Sequence, residues 1–149
     1  MTTTGSRREG VVGGRTLVDT AVFAYALGGA HEQRDACRAV IAAAERGVVE
    51  LHASIELVQE LVHHRMRRTN RADAVRQAQL AAAVCVLHPF DRAVLDRSLA
   101  LVARTTLGGR DAVHAATGLL LGISVILSPD RDYDGVPGLR RVDPVDLEL

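Results

Sequence analysis

Four carboxylates fall where the chain could bring them together. Asp19 directly follows the apolar run Thr16-Leu17-Val18, and Asp130 comes just after the β-prone run Ile123 to Leu127. Glu60 lies in a helical repeat that begins behind Ser54, and Asp111 follows the chain break at Gly108-Gly109. Acids crowded into one cleft repel each other, so some protonate unless a cation intervenes. A hard divalent ion such as Mg2+ or Mn2+ takes oxygen ligands and removes the conflict. Such an ion acidifies its water and steadies phosphate oxygens, so the chemistry suggested is attack on a phosphate ester. Each acid also has a plainer role on its own. Asp19 suits a helix N-cap, and Glu60 has Glu56 as a rival one turn earlier. Acids are favoured in a first helical turn, where Asp111 sits. Asp130, Asp132 and Asp134 together suit a solvated turn.

The elements that must position these acids alternate. Thr16 to Val18 reads as a buried strand, followed by a short helix from Thr20 to Leu27 that stops at Gly28-Gly29. Glu32 to Arg46 is an amphipathic helix, with Ala36, Val40, Ile41 and Ala44 on one face. Val48 to Ala53 alternates like a strand, and Ser54 caps a helix carrying Leu57, Val58, Leu61 and Val62. Arg71 to Ala83 is its antiparallel partner, and Val84 to Leu87 a short strand. Asp91 caps a helix with Leu95, Leu99 and Val102, and Asp111 opens another through Leu120. Ile123 to Leu127 is a strand, Ser128 to Gly138 a loop, and Leu139 to Val142 a weak final strand. Strand–helix alternation without repeats or linkers predicts one α/β domain with a mainly parallel sheet. In such sheets ligands bind beyond the carboxyl ends of the strands, where Asp19 and Asp130 fall.

Composition narrows the field. Of 149 residues 48% are hydrophobic but only 3% aromatic, so the core must be built from Val, Leu, Ile and Ala. All 18 basic side chains are arginine, which excludes any mechanism that needs a lysine. The net charge is zero, so no global field attracts a polyanion and contact with nucleic acid needs a local patch. Arg65, Arg67, Arg68 and Arg71 offer one, with a solvated helix end as the competing explanation. Cys37 and Cys85 match no zinc spacing and read as small buried hydrophobes of a reducing, cytoplasmic protein. Residues 1–14 carry no apolar signal core and read as a flexible tail before a domain over 15–149. The apolar stretch Ala115 to Leu127 is too short to span a bilayer, so no membrane is expected.

Other phosphate-handling folds lack their residues. Receiver domains and dehalogenase-like phosphatases need a lysine, and the latter also a second Asp two residues after the first, where Ala21 stands. No Gly-Lys-Ser/Thr occurs, and the first strand ends in Asp-Thr-Ala rather than a glycine-rich turn. His63 and His64 are adjacent and cannot share a helical face, which argues against a zinc hydrolase. His114, one turn after Asp111, is placed to touch the cleft, but a helix-surface histidine is the preferred reading.

Four segments in this order resemble the PIN-domain family, and within it the VapC-type toxins of bacterial toxin–antitoxin pairs. They run from Leu17 to Leu27, Ser54 to Leu61, Gly109 to Thr117 and Val125 to Tyr133, and the resemblance spans roughly Thr16 to Pro144. It implies a three-layer α/β/α sandwich and Mg2+- or Mn2+-dependent hydrolysis of RNA phosphodiester bonds. Asp19, Glu60, Asp111 and Asp130 would be the catalytic acids, with Asp19, Asp111 and Asp130 on the metal and Asp132 in reserve. Ser128 stands where the family usually has Thr, and Pro129 and Tyr133 depart from its pattern, Phe being commoner than Tyr. The resemblance further implies an RNA substrate, a cognate antitoxin and a homodimer. The alternative is a PIN-like module that binds RNA or protein without cutting.

Overall fold

The computed structural model describes residues 11–149. Five strands form one sheet: β1 (Arg15–Val18), β2 (Glu50–Ser54), β3 (Cys85–His88), β4 (Val125–Leu127) and β5 (Arg140–Val142). All neighbours pair in parallel, in the order β3-β2-β1-β4-β5. Six helices connect them: α1 (Thr20–Leu27), α2 (Arg34–Glu45), α3 (Ile55–Met66), α4 (Arg71–Val84), α5 (Arg92–Arg104) and α6 (Gly109–Leu120). The expected alternation holds, with ends shifted by one or two residues.

Side chains of the central strands alternate between two cores, which makes three layers. Val18, Leu51, Ala53, Val125 and Leu127 face one core with α1 to α4, including Phe23, Val40 and Leu57. Leu17 and Ile126 face the other, built from α5 and α6 with Val94, Leu101, Val113 and Ala116. A sheet covered on both faces has no polar side to show, hence the near-continuous apolar strands. Gly118 lets α6 settle on β1: a Cβ there would stand 2.9 Å from Leu17 Cδ2. The helix that carries Asp111 is thereby held close to the strand that Asp19 follows.

From β1 the chain steps to β2 and β3 on one side, then returns past β1 to lay down β4 and β5 on the other. The strand order therefore reverses between β1 and β4. Such a switch point leaves a crevice outside the carboxyl ends of the two strands.

Two expectations change here. Residues 1–10 of the expected tail lie outside the described residues, whereas Val11 is buried in the core and the Gly13 N–H donates to the Val48 carbonyl at 3.0 Å. The segment after β4, expected as open loop, contains a 3-10 turn at Arg131–Gly135. That turn buries Tyr133 completely.

Candidate metal centre

Asp19 occupies the N-cap position of α1, yet its side chain makes no capping bond. Its N–H is tied to the Leu127 carbonyl across the β1–β4 seam at 3.0 Å. The carboxylate is left for the crevice, held by two hydroxyls from the segment after β4. Ser128 Oγ donates to Oδ2 at 2.8 Å, and Tyr133 Oη donates to Oδ1 at 3.3 Å. Ser128 Oγ also accepts from the Asp130 N–H at 3.0 Å, so one hydroxyl links the two acids. Serine thus performs this link in place of the family's usual threonine, and the Tyr133 hydroxyl adds a bond that phenylalanine could not make.

Asp19, Glu60, Asp111 and Asp130 line a single cleft of about 350 Å3, together with Ala21, Tyr25 and Pro129. Glu56 lies outside it, half-buried one turn earlier on α3. Asp132 is exposed and outside it too, while its N–H donates to Asp130 Oδ1 at 3.0 Å and fixes that carboxylate. The basic patch divides. Arg67, Arg68 and Arg71 are exposed, but Arg65 is buried, its Nε donating to Gln77 Oε1 at 2.8 Å. Arg65 does not belong to an exposed patch, because it continues the buried stripe of Leu57 and Leu61 at four-residue spacing.

His114 corrects a second expectation. It is 1% exposed, not on a helix surface. Its Nε2 donates to Glu60 Oε2 at 3.1 Å and lies 3.1 Å from Thr20 Oγ1, which also donates to Glu60 Oε2 at 3.1 Å. Every residue from Ala112 to Gly118 is buried. The sequence held that signal: apart from His114 this stretch is small or apolar all round, the mark of a helix buried on every side.

The charges do not balance. Burial pushes the Asp111 carboxyl up to about 6, with Asp19, Asp130 and Glu60 adding to the rise and His114 opposing it. Burial likewise raises Asp19, helped by Glu60 and countered by His114, Ser128 and Tyr133. Burial would raise Glu60 too, but the hydrogen bond and charge of His114, with Thr20 and Arg110, hold it below the usual range. Burial would lower His114, but Glu60, Asp19 and Asp111 keep it above its ordinary value. One imidazole therefore serves several acids, and Asp19 and Asp111 keep a surplus of negative charge. Ligand atoms of Asp19, Asp111 and His114 lie within 4.8 Å of one another. A surplus of buried carboxylate around a gap of that size fits a divalent cation.

The chain matches the PIN domain family over residues 16–139. It is 32% identical over 131 residues to ribonuclease VapC7 of Mycobacterium tuberculosis, covering 86% of this chain and 90% of that one. Ribonuclease VapC13 of the same organism is 29% identical over 129 residues, covering 85% and 98%. Two solved structures share the fold. VapBC2 from Rickettsia felis, bound to a DNA fragment from its promoter, superposes with a TM-score of 0.67 at 11% identity, covering 86% of this chain and 97% of that one. A toxin–antitoxin complex from Klebsiella pneumoniae gives 0.64 at 20% identity, covering 87% and 97%. The switch-point crevice, the acids that line it and the match over most of the chain agree: this protein belongs to the PIN domain family.

Proposed function

We propose that the chain is a divalent-metal-dependent endoribonuclease, the toxin of a toxin–antitoxin pair that restrains translation or growth. The observation that carries this reading is the cleft in which Asp19, Glu60, Asp111 and Asp130 meet with too little positive charge to neutralise them. Asp19, Asp111 and Asp130 would hold the ion, Mg2+ or Mn2+, by their oxygens. When bound, it supplies Lewis-acid stabilisation of a phosphoryl oxygen and a more acidic water.

The protein's own groups do the rest. Ser128 and Tyr133 aim the Asp19 carboxylate by donating to its two oxygens. Burial first, then the charges of Asp19 and Asp111, raise the Tyr133 phenol far above its usual range, so it stays a donor. Thr20 and His114 both end on Glu60 Oε2 and keep this carboxylate ionised. Oε1 is then free to accept a proton from an attacking water at the cleft wall.

The partners follow from the same reading: an RNA substrate, a cognate antitoxin that covers the cleft, and a second copy of the chain. Similarity to VapC ribonucleases and to VapBC assemblies supports them. Among the described residues no helix is long and apolar enough to cross a membrane, and a cytoplasmic location suits an enzyme that acts on RNA. The test is cleavage of total RNA by the purified, antitoxin-free protein with Mn2+, abolished by EDTA. Protein that cuts nothing, and binds RNA equally with and without metal, would be a silent RNA-binding module instead.

A further inference from the structure

Beside the acid cleft lies a larger groove of about 760 Å3. The two share Ala21 and Tyr25, so one surface runs from the acids into the groove. Its walls are the end of α1, the loop after it and the last turn of α3. No carboxylate lines it; its ionisable side chains besides Tyr25 are His31, His64, Arg65 and Arg68. The surface thus changes from acid to base over a short distance.

Three details make this groove a built feature. Arg65 is 6% exposed, and the only hydrogen-bond partner of its guanidinium among the described residues is the neutral Gln77 amide. Its Nη1 is buried without a partner. A buried guanidinium without a counter-charge is costly, and an anion in the groove would relieve that cost. Tyr25 and His31 stack, ring centroids 4.4 Å apart at 24°, and the Gln33 N–H fixes His31 by donating to its Nδ1 at 3.1 Å. Arg68 Nη1 donates to His64 Nδ1 at 3.2 Å. Burial, then Arg68 and Arg65, lowers His64, so it accepts that bond as a neutral ring and the charge remains on Arg68.

A ligand suited to this groove carries an anion for Arg65 and Arg68 and a flat face for the Tyr25–His31 stack, and it continues into a phosphate-cleaving cleft. We infer that the groove is a subsite for single-stranded RNA, seating a nucleotide beyond the two that flank the scissile phosphate. Its backbone phosphate sits against the two arginines and its base against the aromatic pair. Single strands are commonly gripped in this way, by cationic grooves and base stacking. This inference rests on the ribonuclease reading above.

Arg68 and His31 are exposed and lie outside the acid cleft, so Arg68→Ala and His31→Ala should fold. The first arm measures binding of a short fluorescent single-stranded oligoribonucleotide in EDTA. Arg68→Ala should lower the slope of log affinity against log salt by about one. His31→Ala should weaken binding about ten-fold. The second arm measures cleavage with Mn2+ of the oligonucleotide and of a dinucleotide too short to reach the groove. Both variants should lose about ten-fold in kcat/KM on the oligonucleotide and keep wild-type rates on the dinucleotide. Wild-type slope, affinity and kcat/KM in both variants overturn the subsite and return the groove to a protein partner. Wild-type protein that cuts neither substrate defeats the ribonuclease reading instead, and the binding arm still decides whether the groove holds RNA.

Discussion

Replacing Asp111 with Asn should make the metal-free protein more stable, although it should destroy the activity. The Asp111 carboxyl lies at about 6 in the folded chain, against 3.8 as the ordinary value. The folded state therefore prefers the protonated acid. Below about pH 4 both states hold the proton and Asp111 costs nothing; the cost grows as pH rises through about 6 and is constant above that. A gap of roughly two units, at about 1.36 kcal/mol each, sets a ceiling of about 3 kcal/mol. Asp111 is only half-buried, so solvent screening should reduce this to about 1 kcal/mol. Asparagine keeps the shape and removes the charge.

The assay is thermal unfolding with a chelator across pH. At about pH 7.5, Asp111→Asn should melt about 2–4 °C above wild type. Near pH 4 the two should coincide, because the charge is gone from both. Saturating Mn2+ should reverse the order. An ion at about 100 times its Kd stabilises wild type by about 2.7 kcal/mol and the variant by much less. A variant that melts below wild type at both pH values in chelator refutes the reasoning, since the carboxylate would then be a structural partner rather than surplus charge.

Asp19→Asn should remove most RNA cleavage while melting within a few degrees of wild type, because its backbone tie to Leu127 is untouched; a fully active variant removes Asp19 from the site. Ser128→Ala breaks the hydroxyl link between Asp19 and the Asp130 N–H. It should weaken metal binding about 10–100-fold by calorimetric titration. Ser128→Thr should restore that affinity, and equal affinity in the alanine variant would discount the link. His114→Ala leaves Glu60 with the Thr20 hydrogen bond and the Arg110 charge, and should cost about 100-fold in kcat while shifting the acid limb of the pH–rate profile upward. His114→Gln keeps an N–H donor and should recover most of the loss; equal losses with an unmoved pH profile would leave His114 a packing residue only.

Parts of this site were legible for a physical reason. β1 and β4 lie inside a sheet covered on both faces, so their residues are forced to be apolar, and the first acid after each run marks a strand end. Asp19 and Asp130 were readable in that way. Glu60 was harder. It and Glu56 are one turn apart on the same side of α3, and hydrophobic spacing within one helix cannot choose between them. The choice is tertiary: Thr20 and His114 reach Glu60, from elements 40 and 54 residues away in sequence. Arg65 was misread because its neighbours Arg67 and Arg68 suggested a patch, whereas its helical phase aligns it with Leu57 and Leu61. For His114 the sequence leaves cleft and helix surface both open, because Glu60 and Thr20 meet it only in the fold.

The zero net charge, which at first argues against a polyanion as ligand, has a different meaning once the charges are placed. Attraction at a distance follows the net charge, but grip follows the field where the ligand lies. At the switch point the chain concentrates acid that repels phosphate until a cation is present, and next to it arginine and histidine with no acid among them. Neutralised only by a metal, the first region makes productive binding conditional on that metal. The second region needs none. The two should therefore separate in experiment: RNA affinity in chelator should depend on Arg68 and His31, and the gain in affinity on adding metal should depend on Asp19, Asp111 and Asp130.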